Sequence, residues 1–125
     1  MGSGRLRPRE HLRGDGTFEL IRRQGVSAGD DVLYVRALAN DLGYARLGLA
    51  VGRNSGGAVQ RSRLRRMIRE AFRLNKSALP RDTDLLVSPR AGASKSGLED
   101  FGRSLVSLAR RVNREFQRRK ETGPP

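Results

Sequence analysis

Seven arginines and one acidic residue, Glu70, lie between Arg53 and Arg73. A guanidinium pairs bidentately with phosphate oxygens and stacks on bases. Seven such cations over about 30 Å of loop and helix repel one another unless a polyanion neutralises them, and a phosphate backbone does so while releasing its condensed counterions. Arg61, Arg65, Arg69 and Arg73 recur every fourth residue, with Ser62 and Arg66 beside them. The competing reading is a solvated helix face, but such faces normally carry carboxylates at i±4. Glu70 reaches only Arg66, Arg73 and their near neighbours. The whole chain points the same way: 26 Lys and Arg against 13 Asp and Glu give a formal charge of +13, and 23 of the 26 are arginine. A polyanionic partner follows from that excess.

Other chemistry-bearing residues are sparser. The glycine-rich stretch 52–58 lacks the Lys and Ser/Thr spacing of a P-loop, and it fails the dinucleotide fingerprint. It is either a plain tight turn or a phosphate seat at the amide-rich start of a helix. Phe18, Tyr34 and Arg36 are types that stack on single-stranded bases. Packing is the competing role for Phe18, and Tyr34 falls on the less aliphatic face of its segment. No constellation for protein-borne catalysis emerges. His11 is the only histidine, Asp30-Asp31 and Asp82/Asp84 read as turn residues rather than metal ligands, and cysteine is absent. If cleavage occurs here, a partner must supply it. No apolar run approaches the ~18 residues of a membrane span, so a soluble cytoplasmic protein is expected.

The elements that must position these groups follow from periodicity. Residues 1–13 read as a basic, flexible arm. Asp15 is placed to cap a short helix over 16–24, which Gly25 ends. Residues 32–39 and 44–51 alternate as strands, joined by a hairpin loop at 40–43 and expected to pair antiparallel. The apolar stripe Leu64, Met67, Ile68, Ala71 and Phe72 predicts a helix over 59–75 that is apolar on one side and cationic on the other. Residues 84–88 read as a short buried strand, and the passage from Leu47 to Val87 as a parallel crossover. A last helix is predicted over 98–120, with a disordered tail at 121–125. Together these make one α+β domain over residues 1–125, helices packed on a small mixed sheet.

Two segments carry a resemblance: Arg46-Leu-Gly-Leu-Ala-Val51, then Gly56-Gly-Ala-Val-Gln-Arg-Ser-Arg-Leu-Arg-Arg-Met-Ile-Arg-Glu-Ala-Phe-Arg73. Leu79-Pro80, Asp84-Leu-Leu-Val and Arg90 continue it. In this order they resemble the bacterial ribonuclease P protein family, over about residues 5–110. The resemblance implies a four-stranded sheet in the order αβββαβα, like the second domain of ribosomal protein S5 and with a left-handed crossover, where general rules favour the right hand. It also implies an RNA-binding subunit of an endoribonuclease that removes the 5′ leader of precursor tRNA, with the active site and its Mg²⁺ in the catalytic RNA. It assigns Arg53, Arg61, Ser62, Arg63, Arg65, Arg66, Arg69 and Arg73 to that RNA, and Phe18, Arg22, Tyr34 and Arg36 to the leader. One protein per RNA is expected, with no metal or cofactor held by the protein. Ser62 and Gly57 stand where the family carries asparagine, and Arg22 stands where many members have an aromatic. A ribosomal or other structural RNA-binding protein is the alternative, and a free-standing nuclease a more distant one.

Overall fold

The computed structural model describes residues 6–12 and 16–122. Helix α1 spans Thr17–Gln24, and strands β1 (Val26–Gly29), β2 (Leu33–Ala39) and β3 (Arg46–Leu49) follow. Then come helix α2 (Ala58–Leu74), strand β4 (Thr83–Pro89) and helix α3 (Leu98–Thr122). This is the αβββαβα order, and the four strands form one mixed sheet in the order β1-β2-β4-β3. Helices α2 and α3 cover one face of the sheet, here called inner, and α1 covers part of the outer face. Among the described residues, no helix is long and apolar enough to cross a membrane.

The expected pairing of 32–39 with 44–51 is overturned. Strand β4 lies between β2 and β3, antiparallel to the first and parallel to the second. The reason is in β4 itself: Leu85, Leu86 and Val87 are all buried. An unbroken apolar run needs both faces covered and a neighbour on each edge, which only the central position provides. The 40–45 connection therefore passes the end of β4. It is tied there by Asn40 N–H to Asp82 O (2.8 Å) and Gly43 N–H to the Asp82 carboxylate. The parallel crossover from β3 through α2 to β4 is as predicted. Strand β1 escaped the periodicity reading because Val-Ser-Ala-Gly buries only Val26 and shows no alternation.

The inner core joins Leu33, Val35, Ala37, Leu85 and Val87 of the sheet to Leu64, Ile68 and Phe72 of α2 and to Phe101, Leu105, Leu108 and Val112 of α3. The predicted α2 stripe is thus buried at Leu64, Ile68, Ala71 and Phe72, with Met67 partly covered. Helix α2 is shifted one residue toward the N-terminus, and α3 continues through Thr122, past the expected boundary at 120. Asp30 ends β1 as a turn residue, accepting bonds from the N–H groups of Val32 and Leu33 (2.9 Å each). It also fastens α3, because the Ser104 hydroxyl donates to both its oxygens. Burial pushes its carboxyl up, but bonds from Leu33, Ser104 and Val32 outweigh this and hold it below the usual carboxylate range.

Residues 6–12 are docked rather than free. A 3-10 turn at Pro8–Glu10 buries Glu10, whose carboxylate accepts from Arg7 N–H (2.6 Å) and Lys76 Nζ (2.8 Å). His11 makes a parallel bridge to Leu47, and Leu12 is buried on the outer face. Net charge suggested a solvated arm, whereas one carboxylate and two leucines set its position. The proposed cap Asp15 and residues 123–125 of the expected tail lie outside the described residues; the cap position described is Gly16.

Candidate nucleic-acid interface

Helix α2 turns its apolar stripe inward, so its remaining sides must carry the arginines. Ser62, Arg66 and Arg69 are exposed, as is Arg53 in the 3-10 turn before the helix; Arg61, Arg63, Arg65 and Arg73 are partly covered. Glu70, the helix's only carboxylate, is committed to Arg73 in a two-bond pair of 2.7 and 3.1 Å. Arg53, Arg61, Arg63, Arg65, Arg66 and Arg69 have no carboxylate partner among the described residues. Arg63 Nη2 donates to Ser96 O (3.2 Å), and Arg65 Nη2 lies 3.5 Å from Val51 O. Those contacts tether two guanidiniums to neighbouring loops without neutralising them. Arg61 Nε and Arg63 Nη1 are buried donors with no protein acceptor. Both nitrogens are shut off from the surface, so it is the remaining, accessible edges of these guanidiniums that can meet a phosphate oxygen.

At the start of α2, Gly57 occupies the cap position and makes no side-chain capping bond. The first-turn amides thus carry no side-chain cap and lie at the positive end of the helix dipole. His11, isolated in sequence, is brought by the docked segment into a hollow of about 550 Å³ with Leu6, Arg69, Glu70 and Arg73.

A second surface occupies the outer face of the sheet. Period-2 geometry sends Tyr34, Arg36 and Leu38 outward while Leu33, Val35 and Ala37 go inward. With Arg22, Leu86, Ser88 and Ala50, Tyr34 and Arg36 line a cleft of about 220 Å³. Arg36 Nη1 donates to Arg22 O (2.6 Å), using a carbonyl of the last turn of α1, where the helix dipole favours a cation. The Arg22 side chain is exposed at the rim. Phe18 is not part of the lining. It packs with Leu12, Ile21 and Leu86, and its ring lies so close over Gly48 that a Cβ there would approach to 3.0 Å. Of the four residues expected at this surface, Arg22, Tyr34 and Arg36 line the cleft, and Phe18 packs beside it against the Leu86 cluster.

Ser27 and Ser88 of this surface were not singled out from sequence, and Arg90 was named only as part of the resemblance, without a role. Arg90 Cζ stands 4.9 Å from the centre of the Tyr34 ring. Hydrogen bonding from Ser27 is the main influence lowering the Tyr34 phenol from its ordinary value; burial opposes it, and the nearby Arg36 and Arg90 add to it. No local pattern shows that these residues meet Tyr34, because only the β1–β2 and β2–β4 registers bring them there.

The carboxylates do structural work. Asp84 is buried and takes two bonds from Arg46 (2.8 and 2.7 Å) and one from Asn40 (2.7 Å). Asp30 and Glu10 are bonded as described. No cluster of three metal-ligating side chains occurs among the described residues. The arrangement suits binding of a polyanion along α2 and of a small number of planar, charged units in the cleft.

Comparison with known proteins follows this geometry. The family model described as Ribonuclease P matches residues 6–113. The ribonuclease P protein component of Syntrophobacter fumaroxidans is 39% identical over 108 residues, covering 86% of this chain and 91% of that protein. That of Thermotoga maritima is 40% identical over 112 residues, covering 83% and 92%. A solved structure of the RNase P protein from Thermotoga maritima superposes with a TM-score of 0.71 at 34% identity, covering 87% of this chain and 97% of the other.

Proposed function

Because the chain belongs to the bacterial ribonuclease P protein family, and so acts as the RNA-binding subunit of an endoribonuclease with the ribonuclease P RNA as partner, we propose that its two surfaces divide the work. The α2 stripe, with Arg53, Arg61, Ser62, Arg63, Arg65, Arg66 and Arg69, holds the catalytic RNA. The outer cleft, with Tyr34, Arg36 and Arg22, holds the 5′ leader of precursor tRNA. Arg73 lies at the end of the stripe but is engaged by Glu70. The RNA subunit supplies the active site and its Mg²⁺, and one protein joins one RNA in the cytoplasm.

The observation that carries this reading is the set of six α2-side arginines without carboxylate partners among the described residues. Such a surface is unsatisfied until phosphates reach it. Cleavage brings two polyanions together, and a chain of charge +13 lowers that repulsion in place of bulk divalent cation. The test is cleavage of precursor tRNA by a bacterial ribonuclease P RNA at low Mg²⁺, with and without the purified chain. Stimulation is expected, together with tighter binding of leader-bearing than of mature tRNA when the chain is present. Cleavage by the protein alone, or no stimulation, refutes the assignment.

A further inference from the structure

Tyr34 is one of two tyrosines in the chain, and its ring is held more tightly than a cleft wall requires. On the outer face the strand register sets Gly29 of β1 on one side of it and Ser88 of β4 on the other. The cleft opens toward Ser88, where Leu86 and Ala50 complete the floor. Arg90 leaves the end of β4 with its N–H bonded to Val32 O (2.8 Å) and lays its guanidinium over the ring. The guanidinium reaches to Gly29: a Cβ at that position would stand 2.8 Å from Arg90 Nη2 and 3.0 Å from Tyr34 Cδ1. Glycine there leaves the room that both side chains use. Arg90 does not line the cleft, and no carboxylate pairs with it among the described residues.

From these contacts we infer that Arg90 is a positioning residue for leader recognition, clamping the Tyr34 ring from the β1 side so that its other face is presented to a base of single-stranded RNA. The inference rests on the leader-cleft reading above. An aromatic side chain on a strand surface loses rotamer freedom when a base stacks on it. A ring already backed by Arg90 on one face has part of that freedom removed beforehand, so more of the stacking free energy appears as affinity. Arginine suits the task better than lysine, because a planar guanidinium stacks on a ring over its whole area.

The test uses the chain carrying Tyr44→Phe, which leaves Tyr34 as the only phenol, assembled with a bacterial ribonuclease P RNA. Two quantities are read: affinity for tRNA with and without a leader, and the ultraviolet titration of the phenol in the free protein. Arg90→Ala should weaken leader-bearing tRNA by about twofold to fivefold, the equivalent of one exposed cation–π contact. It should leave mature tRNA unchanged and move the phenol titration to higher pH. Arg90→Lys keeps the charge, so the titration should stay near the parent's while leader affinity recovers only in part. Unchanged leader affinity in Arg90→Ala, beside a loss in Tyr34→Ala, overturns the role of Arg90 and leaves the cleft standing. A loss with no movement of the phenol means that Arg90 touches the leader itself, which also overturns it. No leader-specific loss in Tyr34→Ala refutes the cleft.

Discussion

Arg46 stands in the strand just before the arginine-rich segment, and its guanidinium is committed to Asp84. Nε and Nη2 grip the two oxygens of Asp84 at 2.8 and 2.7 Å, and side-chain exposure is 26% for Arg46 against 6% for Asp84. Arg46→Ala removes two of the three hydrogen bonds from that carboxylate, leaving the one from Asn40. Breaking a buried pair from one side costs about 3–5 kcal/mol, and the partial exposure of Arg46 sets the lower end, about 3 kcal/mol. For a domain of this size that lowers the melting temperature by about 10 °C. Replacing both partners, Arg46→Met with Asp84→Leu, should recover most of the loss, since no charge is then stranded. Thermal unfolding of the three variants reads this directly. The salt dependence of RNA binding, measured below the transition, should keep its slope in Arg46→Ala. A melt within about 2 °C of the parent would refute the buried-pair argument, and a slope reduced by about one unit would make Arg46 a phosphate ligand.

On α2, Arg66→Ala and Arg69→Ala should each reduce the salt slope of RNA binding by about 0.7–0.9, while Arg73→Ala should change it little because Glu70 already holds that side chain; equal slopes in all three variants contradict the division. Phe72, fully buried between α2 and the inner core, should cost about 3–5 kcal/mol as Phe72→Ala in a denaturant titration, and a parental midpoint would mean that the helix faces another way. Glu10 and Asp30 both have their carboxyls held below the usual range, burial raising them and hydrogen bonds from Lys76 and Arg7 (Glu10) or Leu33 and Ser104 (Asp30) more than offsetting it. Their contribution to stability is therefore complete above the ordinary carboxylate range, near pH 4, and is lost as pH falls through the lowered folded values. Melting temperature should drop on acidification, and Glu10→Gln should drop less from its own neutral value; parallel curves would remove Glu10 from the account.

Much of the architecture was legible in the residues. The stripe of α2 follows from 3.6-residue periodicity and is buried at Leu64, Ile68, Ala71 and Phe72 as predicted. The alternation of 33–38 assigned Tyr34 and Arg36 to one face and Leu33 and Val35 to the other, as found. Composition and spacing alone identified the arginine stripe, because uncompensated charge is a local property of the chain. What failed was long-range. No local signal places residues 83–89 between two strands that are consecutive in sequence; that order comes from the demand of Leu85, Leu86 and Val87 for cover on both faces. The same hidden pairing brings Arg90 to Tyr34 and Arg46 to Asp84. Helix faces and strand faces are set by periods of a few residues, so the sequence by itself determined them. Which cations meet a carboxylate and which remain for RNA depends on contacts between residues as far apart as Glu10 and Lys76, and only the tertiary structure decided it.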